Sequence, residues 1–415
     1  MPRERIAIAG GGAAGFFAAI ACAQAHPENE VRMFERGSQF LTKVRISGGG
    51  RCNVTHTPAL ELRGFSSRYP RGGRAMVGAL HRFSADDTVA WFERHGVLLK
   101  AEADGRMFPV TDSAATVIDC LLHEARAAGV KLVPRNGVER AQKNGAGKFE
   151  LELSDGSVTE CDRLLLATGG ARTVSGAEIA RSLGHTIEPP VPSLYSLHIV
   201  TQWLRALPGV SVEEVELTVP GTKLRESGPL LITHNGVSGP VVLRLSAWGA
   251  RVLAAMDYKF TLRVNWLPRL SEQTILEELK LRRAAHPKKR VASLPIPPLP
   301  ARLWGQLVAT MEIPGDTVWT TLSRTHSLAL VRLLTNCDLP VCGKTLNKDE
   351  FVTCGGVRLT EVNFKTMESR IAPHLYFAGE LLDIDGITGG FNFQAAWSTG
   401  WIAGRAMADA DVRAS

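Results

Sequence analysis

Nothing in this sequence approaches the ~18 uninterrupted apolar residues of a membrane-spanning helix, so a transmembrane protein is not expected. Cysteine is sparse: seven residues, at positions 22, 52, 120, 161, 337, 342 and 354, with no C-x-x-C pair. An odd, scattered set reads as reduced thiols of a cytoplasmic protein, and excludes a disulfide scaffold and a zinc ribbon. Internal repeats and low-complexity tracts are missing too, which excludes a solenoid. Charge is nearly balanced: 48 Lys and Arg against 41 Asp and Glu leave +7, and the pI is near 9.1. That mild excess is compatible with an anionic partner such as RNA without requiring one. Hydrophobic content of 45% with 21% charge is that of an ordinary globular chain, and 415 residues suggest two or three domains.

What is present is concentrated first between Ile6 and Glu35. Ile6–Ala9 reads as a short apolar strand, followed by Gly10-Gly11-Gly12-Ala13-Ala14-Gly15 and an Ala-rich helix to Ala25. A second strand, Val31–Phe34, ends on Glu35, 20 residues past Gly15. Gly10 suits the tight turn, Gly12 the close approach of a pyrophosphate, and Gly15 close helix–strand packing. The helix N-terminus faces the anion, and Glu35 accepts the ribose hydroxyls. Arg3, Arg5 and the apolar run before Cys22 superficially resemble a signal peptide. A secretory core has no use for three glycines, and cleavage there would leave Glu35 without purpose.

A second informative stretch is Lys43-Val44-Arg45-Ile46-Ser47-Gly48-Gly49-Gly50-Arg51-Cys52-Asn53. Three consecutive glycines form neither a stable helix nor a central strand; they make a bare backbone loop that can lie against a ligand. Cys52 would sit beside that ligand, either for chemistry or as a small packed thiol. Ser84 with Asp87 predicts a capped helix ending near Gly96, and Val117 to Ala125 mark another that stops at Gly129. A strand Val130–Val133 follows, and Phe149–Leu153 with Ser157–Cys161 read as a hairpin. Asp162-Arg163-Leu164-Leu165-Leu166-Ala167 reads as a buried parallel strand running into Thr168-Gly169-Gly170.

Composition shifts at Glu188-Pro189-Pro190-Val191-Pro192. Strand-like runs then suggest a small β domain at 189–270, containing the polar loop Thr233-His234-Asn235-Gly236-Val237-Ser238-Gly239-Pro240. Helical patterns at Glu272–Ala285, Pro300–Thr310 and Thr325–Thr335 form a helical segment, 271–344. It contains a basic cluster of Lys280, Arg282, Arg283, Lys288, Lys289 and Arg290. A solvated helix face is the ordinary explanation of such a cluster; phosphate contact is the alternative. The C-terminal stretch returns to nucleotide chemistry. Leu375–Ala378 is a strand ending in Gly379-Glu380, followed by Gly389-Gly390 and a helix expected over Ala395–Ala408. Paired glycines before a helix offer free N–H groups to a carbonyl or anion. Fingerprint and C-terminal Gly-acid strand together favour FAD, which needs both chain ends, over NAD.

On Gly10–Gly15, Ile46–Asn53, Gly105–Pro109, Ala167–Gly170, Thr233–Pro240 and Gly379–Gln394, the chain resembles the BaiN/RdsA family of NAD(P)/FAD-dependent oxidoreductases, the YhiN-like flavoproteins. The resemblance implies an α/β fold: a Rossmann-like FAD domain of the glutathione-reductase type (1–188 with 345–415), interrupted by the inserted β domain and its helical segment. The FAD contacts expected are Gly10, Gly12, Ala13, Ala14, Gly15, Glu35, Arg36, Lys43, Ser47, Gly48, Gly49, Gly50, Arg51, Cys52, Asn53, Thr168, Gly169, Gly379, Glu380, Asp383, Gly390, Phe391, Asn392 and Gln394. It also implies reduction of a conjugated C=C bond, in a steroid-type enone or in a uracil of ribosomal RNA.

The preferred expectation is an NAD(P)H-driven reductase. With no second G-x-G-x-x-G behind a strand, NADH or NADPH would dock transiently. The substrate is a small molecule or RNA, making a dihydrouridine synthase the first alternative and a flavin amine oxidase the next. No metal and no membrane partner are expected. His234, in its glycine-rich loop, is a candidate general acid or substrate contact, against a loop histidine bonded to backbone. Cys354 is a candidate proton donor, against a small buried thiol.

Overall fold

The computed structural model describes residues 3–57, 59–170, 174–345 and 352–409. The chain divides into two compact units, 1–192 with 348–415, and 193–347.

The first unit is built on a seven-stranded sheet. Its order is Val362–Asn363, Glu368–Ser369, Leu375–Phe377, Arg163–Leu166, Arg5–Ala9, Glu30–Phe34 and Lys131–Val133. The last five run parallel, pairing for example Ile8 with Leu165 and Met33, and Leu165 with Tyr376. Strands buried on both faces carry continuous apolar runs, as Ile6–Ala9 and Leu164–Leu166 do. Both ends of the chain therefore contribute central strands to one sheet.

The helix Ala13–Ala25 has no polar face; Ala13 through Ala23 are all buried. It is enclosed because the helix Phe391–Ala408 covers it, and two glycines allow the contact. A Cβ on Gly400 would stand 2.4 Å from the Ala14 carbonyl oxygen, and one on Gly404 2.3 Å from that of Ala18. This C-terminal helix begins at Phe391, not at Ala395 as expected, with left-handed Gly390 (φ +93°) as its N-cap. Asn392 and Gln394 thus lie in its first turn. Ser84 and Asp87 form the expected capping box. The hairpin gains an unexpected third strand, Val138–Lys143, and the helices Leu62–Ser66 and Gly73–Arg82 were likewise not anticipated.

The second unit is a closed barrel. Its strands run in the order Ser196–Ile199, Gly236–Ser238, Arg225–Thr233, Ser211–Thr218, Phe260–Asn265 and Cys337–Thr345, and the last pairs back onto the first. Closure leaves no exposed sheet edge. The helices Glu272–Ala285, Ala301–Thr310 and Arg324–Thr335 all fall within the connection between the last two strands in sequence. They share the barrel's core: Leu217, Val264 and Leu339 belong to the same buried cluster as Ile275, Trp304 and Leu330. The helical segment is therefore part of the barrel unit. Among the described residues no helix is long and apolar enough to cross a membrane.

Candidate functional site

The fingerprint turn leaves the central strand at Gly10, whose φ of +113° suits only glycine. A Cβ there would meet the Ala167 carbonyl oxygen at 2.3 Å, and one on Gly15 would meet that of Gly10 at 2.1 Å. Gly12 differs: nothing lies within 4 Å of where its Cβ would be. Protein packing demands glycine at 10 and 15, whereas at 12 it leaves open space over the N-terminus of a helix with no side-chain cap. The unbonded N–H groups of that helix start suit a pyrophosphate. Ala13 and Ala14 are buried, so their contribution is main-chain.

Glu35 braces this turn. Its carboxylate accepts from the Gly11 N–H at 2.9 Å and the Gly37 N–H at 2.7 Å. A carboxylate has about four acceptor positions, so two remain for ribose hydroxyls. We expect Glu35→Ala to weaken FAD retention by roughly 1.5–3 kcal/mol, the value of a charge-assisted hydrogen bond. Titration of the apoprotein with FAD measures it; unchanged affinity would remove Glu35 from the nucleotide site.

At the carboxyl ends of the neighbouring strands three segments meet. Thr42–Gly50 begins with a helical turn that breaks at Ser47, whose hydroxyl donates to the Val44 carbonyl at 2.9 Å. Gly48, Gly49 and Gly50 then carry φ of +59°, +69° and +84°. Gly48 packs on Phe108, while Gly49 and Gly50 face open space. Lys43, on the helical turn, reaches Glu380 Oε2 at 2.5 Å, and Glu380 Oε1 accepts from the Thr353 N–H at 2.8 Å. The Lys43 ammonium also lies 4.0 Å from where a Cβ on Gly169 would stand. Gly379 (φ +72°) packs on Ala14, joining the Gly-acid turn to the fingerprint helix. The loops after Leu166 and Phe377 and the triple-glycine segment thus lie together, at the edge where open α/β sheets bind ligands.

Asn53 ties this edge to the C-terminal helix. With its amide oriented to suit its neighbours, it accepts from the Gly390 N–H and donates to the Thr55 carbonyl, both at 2.9 Å. The helix opened by Gly390 is 18 residues long, and its positive end can face a carbonyl or anion of a flavin ring.

Several expected contacts also have internal roles. The Gln394 side chain is buried with its amide fully engaged. It accepts from Thr55 and Thr88 hydroxyls at 2.6 and 2.9 Å, and donates to the Ser84 carbonyl and Ser398 Oγ at 3.0 Å each. Phe391 is buried against His56 and Phe65. Asn392 makes two bonds to the Gly386 backbone, and Asp383 accepts from the Gly355 N–H at 3.0 Å. The Arg51 guanidinium lies 4.0 Å over the Phe108 ring and bonds Glu102, and Arg36 pairs with Glu139. Cys52 is fully buried, and that burial pushes its thiol up to about 12, against the opposing Ser47 hydrogen bond. It packs as a small apolar group.

The two residues expected to supply a proton fall in different units. Cys354 is fully buried in the strand Val352–Val357 of the first unit. His234 stands exposed in the turn between Arg225–Thr233 and Gly236–Ser238, in the barrel unit. Sequence reasoning overlooked Arg71 and Asp385, a bidentate pair with side chains 11% and 0% exposed. An aspartate between Ile384 and Gly386, in so apolar a run, was the signal that a buried cation had to meet it.

Residues 4–406 match the HI0933-like protein Rossmann domain family. The chain is 33% identical to the ribosomal RNA dihydrouridine synthase of Escherichia coli over 411 residues, 97% of each chain. It is 31% identical to the 3-dehydro-bile acid delta(4,6)-reductase of Clostridium scindens over 414 residues, covering 98% of this chain and 99% of that one. Among solved structures it resembles a 3-ketosteroid-delta4-(5alpha)-dehydrogenase from Rhodococcus jostii, with a TM-score of 0.51 and 14% identity. That likeness covers 98% and 97% of the two chains and speaks for the fold alone. The glycine cradle, the Glu35 brace and matches spanning almost every residue lead to one conclusion: the chain belongs to the HI0933-like Rossmann family, the BaiN/RdsA group of FAD-dependent oxidoreductases.

Proposed function

We propose that this enzyme saturates a carbon–carbon double bond conjugated to a carbonyl, with NADH or NADPH as electron source, and that the bond is the C5=C6 bond of a uracil in RNA. The observation that carries the RNA part is the distribution of charge between the two compact units. Residues 193–347 contain 18 Lys and Arg against 11 Asp and Glu, a net of +7, whereas the remainder contains 30 of each. The whole excess of the chain is therefore in the barrel unit, a distribution that suits an enzyme gripping a polyanion with that unit.

Bound FAD would supply a hydride to the electron-poor carbon of the double bond, and its neighbour takes a proton, so each turnover consumes one NAD(P)H and one proton. The chain's own residues bind and orient. Gly12 and the helix behind it would hold the pyrophosphate, Glu35 the ribose, and the start of the Phe391–Ala408 helix a ring carbonyl. Lys43, held by Glu380, brings positive charge to the same edge, where it favours a carbonyl oxygen gaining electron density. An RNA substrate would make the enzyme cytoplasmic.

The names of the relatives divide between RNA and a bile acid, and the bile acid reductase supports a small enone as the second reading. Both substrates would undergo the same two-electron saturation. Anaerobic mixing with NADH or NADPH should bleach the visible flavin band, and uracil-containing RNA or an enone should restore it. Failure of both nicotinamides, with bleaching by an amine, would replace the reductase by an amine oxidase.

A further inference from the structure

The barrel unit's excess charge is not evenly spread. Between Glu278 and Glu312 the sequence has seven Lys and Arg and no acidic residue, and six of the seven lie at 280–290. Partner accounting separates these six. Arg282 bonds Glu278 at 2.9 Å and the Leu294 carbonyl at 3.2 Å. Arg283 donates to the carbonyls of Trp319, at 3.1 Å, and Leu322. These two guanidiniums tie the helix Glu272–Ala285 to the chain behind it. Lys280, Lys288, Lys289 and Arg290 are exposed, and none has an acidic partner among the described residues.

The backbone bearing the last three is pinned on its inner side. The Lys289 carbonyl accepts from the Trp319 N–H at 3.0 Å, Arg290 forms a β-bridge with Val318, and the Val291 N–H donates to the Thr317 carbonyl at 2.9 Å. Pro287's carbonyl accepts from both the N–H and the hydroxyl of Thr320, at 3.1 and 2.8 Å. Trp304 and Trp319 behind this ledge are fully buried. A run of like charges on a mobile loop would lose conformational entropy on gripping a ligand; here the backbone is already fixed. Charges presented on a fixed backbone, with the aromatic rings turned inward, suit phosphates and do not read bases.

Resting on the RNA reading above, we infer that Lys288, Lys289 and Arg290 form a sequence-independent phosphate grip for the RNA substrate. The test uses the full-length, FAD-loaded protein and a fluorescently labelled RNA stem-loop titrated over a range of salt concentrations. Lys288→Ala/Lys289→Ala/Arg290→Ala removes three charges and leaves the pinning backbone bonds in place. A matched control, Arg94→Ala/Arg126→Ala/Arg140→Ala, removes three exposed charges from the other unit. The ledge variant should bind at least about tenfold more weakly near physiological salt, with a log affinity–log salt slope shallower by about 2–3, since each phosphate contact contributes roughly 0.7–0.9. It should keep its flavin spectrum and its reduction by NAD(P)H.

Wild-type affinity and slope in the ledge variant would overturn the grip and leave the RNA reading standing. An equal loss in the control would reduce the effect to overall charge and overturn the grip as well. Wild-type protein without salt-dependent RNA binding, or binding only anionic lipid vesicles, would overturn both.

Discussion

Gly12→Val protein should come out nearly colourless and melt at the temperature of the wild-type apoprotein, whereas Gly15→Ala protein should be hard to obtain folded at all. The contrast follows from what a side chain would meet. Gly12 has an extended backbone, φ −95° and ψ −171°, which valine adopts readily, and there is nothing within 4 Å to obstruct it. Substitutions into open space usually change stability by no more than about 0.5 kcal/mol. The new methyls would fill the space over the helix N-terminus that a pyrophosphate needs. We expect FAD affinity to fall at least a hundredfold, about 2.7 kcal/mol.

Gly15→Ala sets a methyl 2.1 Å from the Gly10 carbonyl oxygen. The oxygen is backbone and the methyl is fixed directly to backbone, both held between the central strand and a buried helix, so neither can retreat. Overpacking of this kind costs about 1–3 kcal/mol where neighbours yield, and more where they do not. Thermal melts followed by circular dichroism, with flavin released by heat and quantified by absorbance, separate the two effects. A yellow Gly12→Val protein would mean that the pyrophosphate lies elsewhere.

The same geometry shows why this part was legible in the sequence. Gly10, Gly15 and Glu35 follow from strand–turn–helix chemistry that is local, within about 30 residues. Other parts depend on partners distant in sequence. Gln394 is an expected flavin contact by its place in a glycine-rich motif. Its four bonds go to Thr55, Thr88, Ser84 and Ser398, three of them some 300 residues away. The barrel's last strand, Cys337–Thr345, falls largely in the stretch expected as a helical segment, and contains Pro340 and Gly343, residue types that argue against a strand. Its alternation was nonetheless present: Cys337, Leu339 and Val341 are buried, and Asp338, Pro340 and Cys342 exposed. Pro240 looked like the end of a loop and is the first residue of the helix Pro240–Trp248, where its missing N–H is no loss. The charge asymmetry was hidden by averaging. A net of +7 is diffuse over 415 residues, and becomes informative only once the boundaries at 193 and 347 are known.

Asp385→Ala should lower the melting temperature by roughly 10 °C, the equivalent of about 3–5 kcal/mol in a unit of this size. Arg71 Nε donates to Asp385 Oδ1 at 2.5 Å and its Nη2 to Oδ2, with the carboxylate wholly buried. Removing that carboxylate takes the bidentate anionic partner from a guanidinium whose side chain is 11% exposed, and this accounts for the size of the effect. The pair also fixes a segment that the flavin site depends on. Arg71 and Asp385 form a backbone bridge, the Ile387 N–H donates to the Arg68 carbonyl at 2.9 Å, and the Tyr69 hydroxyl donates to the Phe391 carbonyl at 2.7 Å. Together these hold the stretch from Gly379 to the C-terminal helix against residues 68–71, so flavin retention should fall along with stability. Replacing both partners distinguishes the ion pair from the packing it occupies. Arg71→Met/Asp385→Leu should recover part of the lost stability, because apolar side chains at both positions remove the buried charges. Should Asp385→Ala melt within about 2 °C of wild type, the pair would be incidental, and the hydrogen bonds at Arg68 and Tyr69 would be what secures the segment.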